Sequence, residues 1–357
     1  MIEGKGDAAV SKDLAALEQT AREMVADGKG VLAADESAGT MSKRLEHVGV
    51  EPNAENRRRW RELLFTAEGI EEQISGVILF DETMRQTSSD GTPFPELLTQ
   101  RGIIPGIKVD TGAHPLAGSP KEKVTEGLDG LRERLAEYSE MGARFCKWRA
   151  VITTGEGIPT DYCINVNAHA LARYAALCQE AGMVPIVEPE CLMDGDHTII
   201  RSFVVTTSTL HQVFHELRAQ HVAYEGMVLK PNMVMSGYDA PFQAGVQEVA
   251  DLTLRALRET VPAAVPGIAF LSGGQSDQLA SAHLNAMNHA ENLPWEVSYS
   301  YGRALLGLSL EIWRGEDANV PAAQAALRHR SRLTAAARRG EYTEDMEQER
   351  EAVTAAS

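Results

Sequence analysis

Eight short apolar runs, each ending in polar residues or glycine and each followed by a longer amphipathic stretch, constrain this 357-residue chain more than any other feature. The runs are 30–35 (GVLAAD), 76–81 (GVILFD), 104–110 (IPGIKVD), 144–149 (RFCKWR), 183–190 (MVPIVEPE), 226–232 (GMVLKPN), 267–274 (GIAFLSGG) and 295–302 (WEVSYSYG). Each gap is long enough for a crossover helix between parallel strands. The intervening stretches keep helical spacing. Leu14, Leu17, Ala21, Met24 and Val25 share one face, as do Val166, Ala170, Leu171, Tyr174 and Cys178, and Val246, Val249, Ala250 and Leu257. Strand and helix alternating about eight times specify a closed parallel (β/α)8 barrel. An open doubly wound sheet is the alternative, and its dinucleotide-binding form is weakened because no GxGxxG follows the first run. No linker breaks the pattern, so a single domain is expected over 1–338, with a mobile polar C-terminal tail over 339–357.

In such a barrel the C-terminal strand ends carry the chemistry. Asp35 ends the first run, Lys108 and Asp110 the third, Lys147 and Arg149 the fourth, Glu188 and Glu190 the fifth and Lys230 the sixth. Ser272 and Gly273 end the seventh; Ser300, Gly302 and Arg303 end or follow the eighth. Residues i and i+2 of a strand point to the same face, so three charged pairs face one way on buried strands. Any one pair reads equally well as structural ion pairing at the rim. The whole set on successive strands does not, because an ordinary core needs none of these charges.

A lysine becomes nucleophilic when desolvation or neighbouring cations lower its pKa. Lys147 and Arg149 are placed to act so on Lys230, with Asp35 and Glu190 compensating their charge. Carboxylates nearby shuttle protons as an imine forms and hydrolyses. Gly-rich strand-to-helix turns offer backbone N–H groups to phosphate. The parts fit Schiff-base chemistry on a phosphorylated carbonyl sugar. No His/Asp/Glu set has convincing metal spacing at the strand ends, so neither metal nor cofactor is expected.

At these residues the chain resembles the class I fructose-bisphosphate aldolases. The resemblance rests on GVLAADESAGT (30–40), ENRRRW (55–60), GVILFDET (76–83), IKVD (107–110), KWR (147–149), VPIVEPE (184–190), LKPNMV (229–234), FLSGGQS (270–276) and SYGRAL (300–305), in order over nearly the whole chain. It implies a metal-independent TIM-barrel lyase of glycolysis and gluconeogenesis. Such an enzyme splits fructose 1,6-bisphosphate into dihydroxyacetone phosphate and glyceraldehyde 3-phosphate. By the same resemblance Lys230 forms the Schiff base, and Glu188 is the acid/base for carbinolamine dehydration. Asp35 takes the proton of the hydroxyl beside the breaking bond, and Lys147 and Glu190 tune charge around the imine. Ser272, Gly273, Gly302 and Arg303 hold one phosphate; Arg44, Arg57, Lys108 and Arg149 are candidates for the other phosphate and the sugar chain. Animal members end in a Tyr that protonates the enamine, whereas residues 351–357 read EAVTAAS, which leaves that donor open. A homotetramer is a further implication. The alternatives are another Schiff-base barrel aldolase on a related sugar phosphate, or an inactive barrel kept as a binding protein, against which the intact Lys, Glu and Asp set argues.

Composition sets the partners. The net charge of −17 makes the chain a poor partner for nucleic acid or anionic membranes, so any anion must bind in a local basic pocket. No apolar run approaches the roughly 20 residues of a membrane span, and 1–10 lack the apolar core of a signal peptide. Four scattered cysteines (Cys146, Cys163, Cys178, Cys191) read as reduced thiols of a cytoplasmic protein. Three motifs are decoys. LSGGQ (271–275) matches the ABC-ATPase signature loop, but no GxxxxGK[ST] accompanies it. HQVFH (211–215) spaces two histidines as zinc ligands without the Glu of HExxH, and the basic run 57–61 reads as a helix surface.

Overall fold

A computed structural model describes residues 6–348. Eight parallel strands close into a barrel: β1 (Gly30–Ala34), β2 (Ile74–Leu79), β3 (Ile104–Lys108), β6 (Phe145–Ile152), β7 (Val184–Cys191), β8 (Val228–Leu229), β9 (Gly267–Phe270) and β10 (Glu296–Tyr301). The remaining two, β4 (Gly112–Leu116) and β5 (Ser119–Glu126), form an antiparallel hairpin outside it. The expected (β/α)8 architecture is the one observed. The hairpin was not expected. It covers β6, where the Thr125 hydroxyl donates to the Arg149 carbonyl at 2.8 Å, and Asn167 bridges Thr125 N–H and the Lys123 carbonyl. The sixth run yields only two ladder residues because Pro231, lacking an N–H, follows Lys230 at once.

Hydrophobic packing divides into two layers. Inside the barrel, Val31, Ala33, Ile78, Ile104, Phe145, Val184, Ile186, Val228 and Ala269 fill the end opposite the charged strand termini. Leu17, Ala21 and Met24 from the helix Gly6–Met24, with Val25 just beyond its end, close that end, the face expected from their spacing. Phe145 is accommodated because β3 offers Gly106 beside it: a Cβ there would sit 2.2 Å from the ring. Outside, the second layer packs the strands against the helices, with Trp60, Trp148, Tyr174 and Trp313 fully buried. Helix starts that face the site are capped by local side chains. Ser37 accepts from Thr40 N–H and Ser276 from Leu279 N–H, which fixes where each loop becomes helix.

The tail expected from 339 stays on the body longer than its polarity implied. Tyr342 is 6% exposed, its N–H donating to Asn285 Oδ1 and its hydroxyl to Glu347, both at 2.9 Å. Residues 349–357 of that stretch lie outside the described residues. Among the described residues, no helix is long and apolar enough to cross a membrane.

Candidate active site

The C-terminal strand ends line a cavity of about 750 Å3. Alternation on β6 sends Trp148 outward against Tyr174 and turns Lys147 and Arg149 inward, while β7 turns in Glu188 and Glu190. Lys230 follows β8, where its N–H still donates to the Val187 carbonyl at 2.8 Å. Asn232 locks the segment behind it, accepting from Cys191 N–H at 3.0 Å and donating to Thr206 Oγ1 and the Met233 carbonyl.

Four charges form a chain at the centre. Asp35 Oδ2 lies 3.0 Å from Lys147 Nζ, which lies 2.8 Å from Glu188 Oε2; the other oxygen, Glu188 Oε1, lies 3.3 Å from Lys230 Nζ. Lys147, Glu188 and Lys230 are each under 5% exposed, so these charges interact with little solvent screening. Burial is the largest influence on Lys230 and pushes its pKa below the ordinary lysine value; Lys147 adds to that, while Glu188 and Asp35 oppose it. Lys147 moves the other way: burial would lower it, but Asp35, Glu188 and Asp110 together raise it. Burial alone would raise both carboxylates, yet Lys147 and Lys230 hold Asp35 and Glu188 below the usual carboxylate range. The centre therefore has one amine whose proton is loosened and one whose proton is held more tightly.

Around it, Lys108 pairs with Asp110 at 2.7 Å, Arg149 with Glu190 and Arg44 with Glu36. Arg149 and Glu190 were expected to act directly on the Lys230 neighbourhood; here they pair with each other at the cavity wall. Ser272 and Gly273 lie on the turn after β9. Its glycines need their freedom, with Gly273 at φ +58° and Gly274 at φ +98°. Gly302 caps the helix Arg303–Trp313, so Arg303 sits at a helix N-terminus. Ser272, Gly273, Gly302, Arg303, Arg44, Lys108 and Arg149 all line the cavity.

Arg57 does not. Its guanidinium is held by Glu82 at 2.7 and 2.8 Å and by the Pro52 carbonyl, on the flank of the helix Ala54–Phe65, which removes it from the expected phosphate set. Polar cavity residues that the sequence reading missed include Glu36, Ser37, Thr40, Asp194 and Tyr238. The first three stand inside or beside the DES motif and were open to discovery from it. Tyr238 lies on an irregular loop after β8, and nothing local marks it; its hydroxyl donates to the Gly273 carbonyl at 3.0 Å. His211 and His215 stand exposed on the helix Ile199–Ala219, away from the cavity.

Fold and site together define a parallel-barrel enzyme whose strand ends carry a lysine–carboxylate centre. The family model "Fructose-bisphosphate aldolase class-I" matches residues 16–356, and the chain belongs to that family of lyases. A "Probable fructose-bisphosphate aldolase class 1" of Xylella fastidiosa is 54% identical over 327 residues, covering 91% of this chain and 98% of that one. "Fructose-bisphosphate aldolase B" of Gallus gallus is 49% identical over 329 residues, covering 92% and 90%. The structure of fructose-bisphosphate aldolase from Plasmodium falciparum, in complex with TRAP and a small-molecule inhibitor, superposes with a TM-score of 0.92 at 46% identity, covering 93% of this chain and 96% of that one.

Proposed function

We propose that this cavity cleaves fructose 1,6-bisphosphate into dihydroxyacetone phosphate and glyceraldehyde 3-phosphate through an imine on Lys230. The observation that carries the reading is the Lys147–Glu188–Lys230 chain, which sets a buried lysine, its pKa lowered chiefly by burial, beside a carboxylate that can exchange protons with it. Neutral Lys230 attacks the ketone carbon. As it adds, one proton of the amine moves to the former carbonyl oxygen; Glu188, 3.3 Å from Lys230 Nζ, having taken the proton that Lys230 gave up on becoming neutral, delivers it to the resulting carbinolamine hydroxyl, which leaves as water and leaves a protonated imine. The protonated imine then accepts the electron pair of the breaking carbon–carbon bond while Asp35 takes the proton of the neighbouring hydroxyl. The aldose phosphate departs, and protonation and hydrolysis of the enamine release the ketose phosphate. Lys147 stays charged throughout and stabilises both carboxylates in their anionic forms. Ser272, Gly273, Gly302 and Arg303 grip one phosphate; Arg44 and Lys108 line the same cavity and serve the other.

Borohydride reduces an imine to a stable secondary amine. Borohydride plus dihydroxyacetone phosphate should therefore inactivate the protein, label the peptide carrying Lys230, and do neither in Lys230→Met. Activity lost in EDTA and restored by a divalent cation, with no borohydride adduct, would overturn the assignment. We also place the protein in the cytoplasm, for which its four buried, unpaired cysteines argue. A homotetramer is proposed on the family resemblance alone, and sedimentation equilibrium decides it.

A further inference from the structure

We propose that His283 is a positioning residue for the reaction, acting through Gln275 to fix the turn at Ser272–Gly274 that grips phosphate. The inference rests on the phosphate assignment made above and adds a residue that touches neither phosphate nor sugar.

A hydrogen-bond chain of fixed direction carries it. The Gln275 backbone N–H donates to the Ser272 carbonyl at 3.0 Å, closing the turn, and the Gln275 side-chain Nε2 donates to the same carbonyl at 3.0 Å. A carbonyl only accepts, so the amide of Gln275 has one permitted orientation, with Oε1 facing away from the turn. That oxygen lies 2.7 Å from His283 Nδ1. An amide oxygen also only accepts, so His283 carries its proton on Nδ1. The opposite nitrogen, Nε2, is buried with no partner, an arrangement that costs stability. Burial lowers the His283 pKa to about 4, so the ring stays neutral and its single proton serves Gln275.

Both residues are deeply placed, with Gln275 at 5% and His283 at 1% exposed, so water cannot replace the missing bond easily. What they hold is delicate. Gly273 and Gly274 both have positive φ, and a Cβ on Gly274 would come 2.8 Å from Arg303 Nη2. The turn and the arginine therefore abut, and a shift of the Ser272 carbonyl displaces the phosphate-facing N–H groups and the guanidinium together. Gln275 Nε2 also approaches Met233 Sδ at 3.5 Å, which ties the turn to the segment three residues beyond Lys230.

Steady-state kinetics of His283→Leu, His283→Asn, Gln275→Leu and the Leu/Leu double variant test this. His283→Leu should raise KM for fructose 1,6-bisphosphate about tenfold, the loss of one net hydrogen bond, with kcat changed less than about threefold. Asn places an N–H donor at the same remove from Cα as Nδ1, so His283→Asn should recover most of the affinity. The double variant should be no worse than the poorer single one. Nitrogen-15 spectra should show His283 protonated at Nδ1 alone between about pH 6 and 8. A folded His283→Leu with wild-type KM, an Asn variant no better than Leu, additive effects in the double variant, or a proton on Nε2 each overturns the proposal. Arg303→Ala is the control: unchanged KM there sinks the phosphate assignment itself, whereas raised KM there with an unaffected His283→Leu sinks only the role of His283.

Discussion

Glu188→Gln separates two jobs that one carboxylate performs. The substitution keeps the shape and removes the charge that lies 3.3 Å from Lys230 Nζ and 2.8 Å from Lys147 Nζ. At an effective dielectric of about 20, a unit charge at that first distance is worth about 5 kcal/mol of attraction. Lys147 keeps Asp35 at 3.0 Å, so the charge most nearly orphaned is the one on Lys230. Its pKa, already depressed by burial, falls further once Glu188 no longer holds its proton. Nucleophilic attack should then survive to lower pH in the variant than in the wild type. Dehydration of the carbinolamine should fail in the opposite sense, slowing by about 10²–10⁴-fold for want of a positioned acid. Rapid mixing with dihydroxyacetone phosphate, followed by borohydride quenching at several pH values, resolves the two. The expected result is a large fall in the single-turnover rate of imine formation with the acid limb of its pH profile moved to lower pH. A wild-type rate, or a limb moved to higher pH in a variant that melts cooperatively, would show that Glu188 is only a structural counter-ion.

Further expectations follow from other parts of the molecule. Arg303→Ala removes a charge-assisted contact worth about 1.5–3 kcal/mol, so KM for the bisphosphate should rise at least about tenfold while KM for phosphate-free fructose stays put; equal changes would refute the assignment. Gly106→Ala drives a Cβ to 2.2 Å from the Phe145 ring and should cost about 1–3 kcal/mol in urea unfolding, recovered in part by adding Phe145→Leu. Lysines hold Asp35 and Glu188 below the carboxylate range, so their stabilisation is present above the unfolded values near pH 4 and is lost as pH falls below them. Unfolding free energy should therefore drop between about pH 5 and 3, and a flat profile there would contradict the buried ion chain.

The barrel was legible because eight apolar runs recur with crossover-length gaps, and the inward residues were legible because a strand alternates. Lys147 with Arg149, and Glu188 with Glu190, had to share a face whatever the barrel's stagger. Which partner each would take was not legible. Lys147 and Arg149 read as joint neighbours of Lys230, but register sets Arg149 opposite Glu188 on the ladder and its guanidinium reaches Glu190 instead. Arg57 illustrates a similar limit: its motif marks the helix, and only the placement of Glu82 shows that its charge is already engaged. Tyr342 was hidden by its surroundings, a single aromatic in a polar stretch that still finds a buried seat. The hairpin was missed because the gap after the third run was read only as room for a crossover helix, and the helix there, Leu131–Glu140, fills part of it.

For a chain of net charge −17 to hold a bisphosphate, the cavity must supply local positive charge. Its lining carries six cations (Arg44, Lys108, Lys147, Arg149, Lys230, Arg303) and six carboxylates (Asp35, Glu36, Asp110, Glu188, Glu190, Asp194). Summed charge therefore does not attract the substrate; pairing does the selecting. Arg44, Lys108, Lys147, Arg149 and Lys230 each have a carboxylate within ion-pair reach. Among the described residues, Arg303 is the lining cation with no carboxylate within ion-pair reach, and it begins a helix whose dipole adds positive potential at the same point. Beside it stands the glycine turn with its N–H groups. Paired cations elsewhere offer a phosphate little, since it must first displace a carboxylate, whereas at Arg303 it meets uncompensated charge. On the proposed assignment of the phosphate and imine sites, the first phosphate is thus directed to one end of the cavity, and that choice sets the direction in which the ketose lies across Lys230.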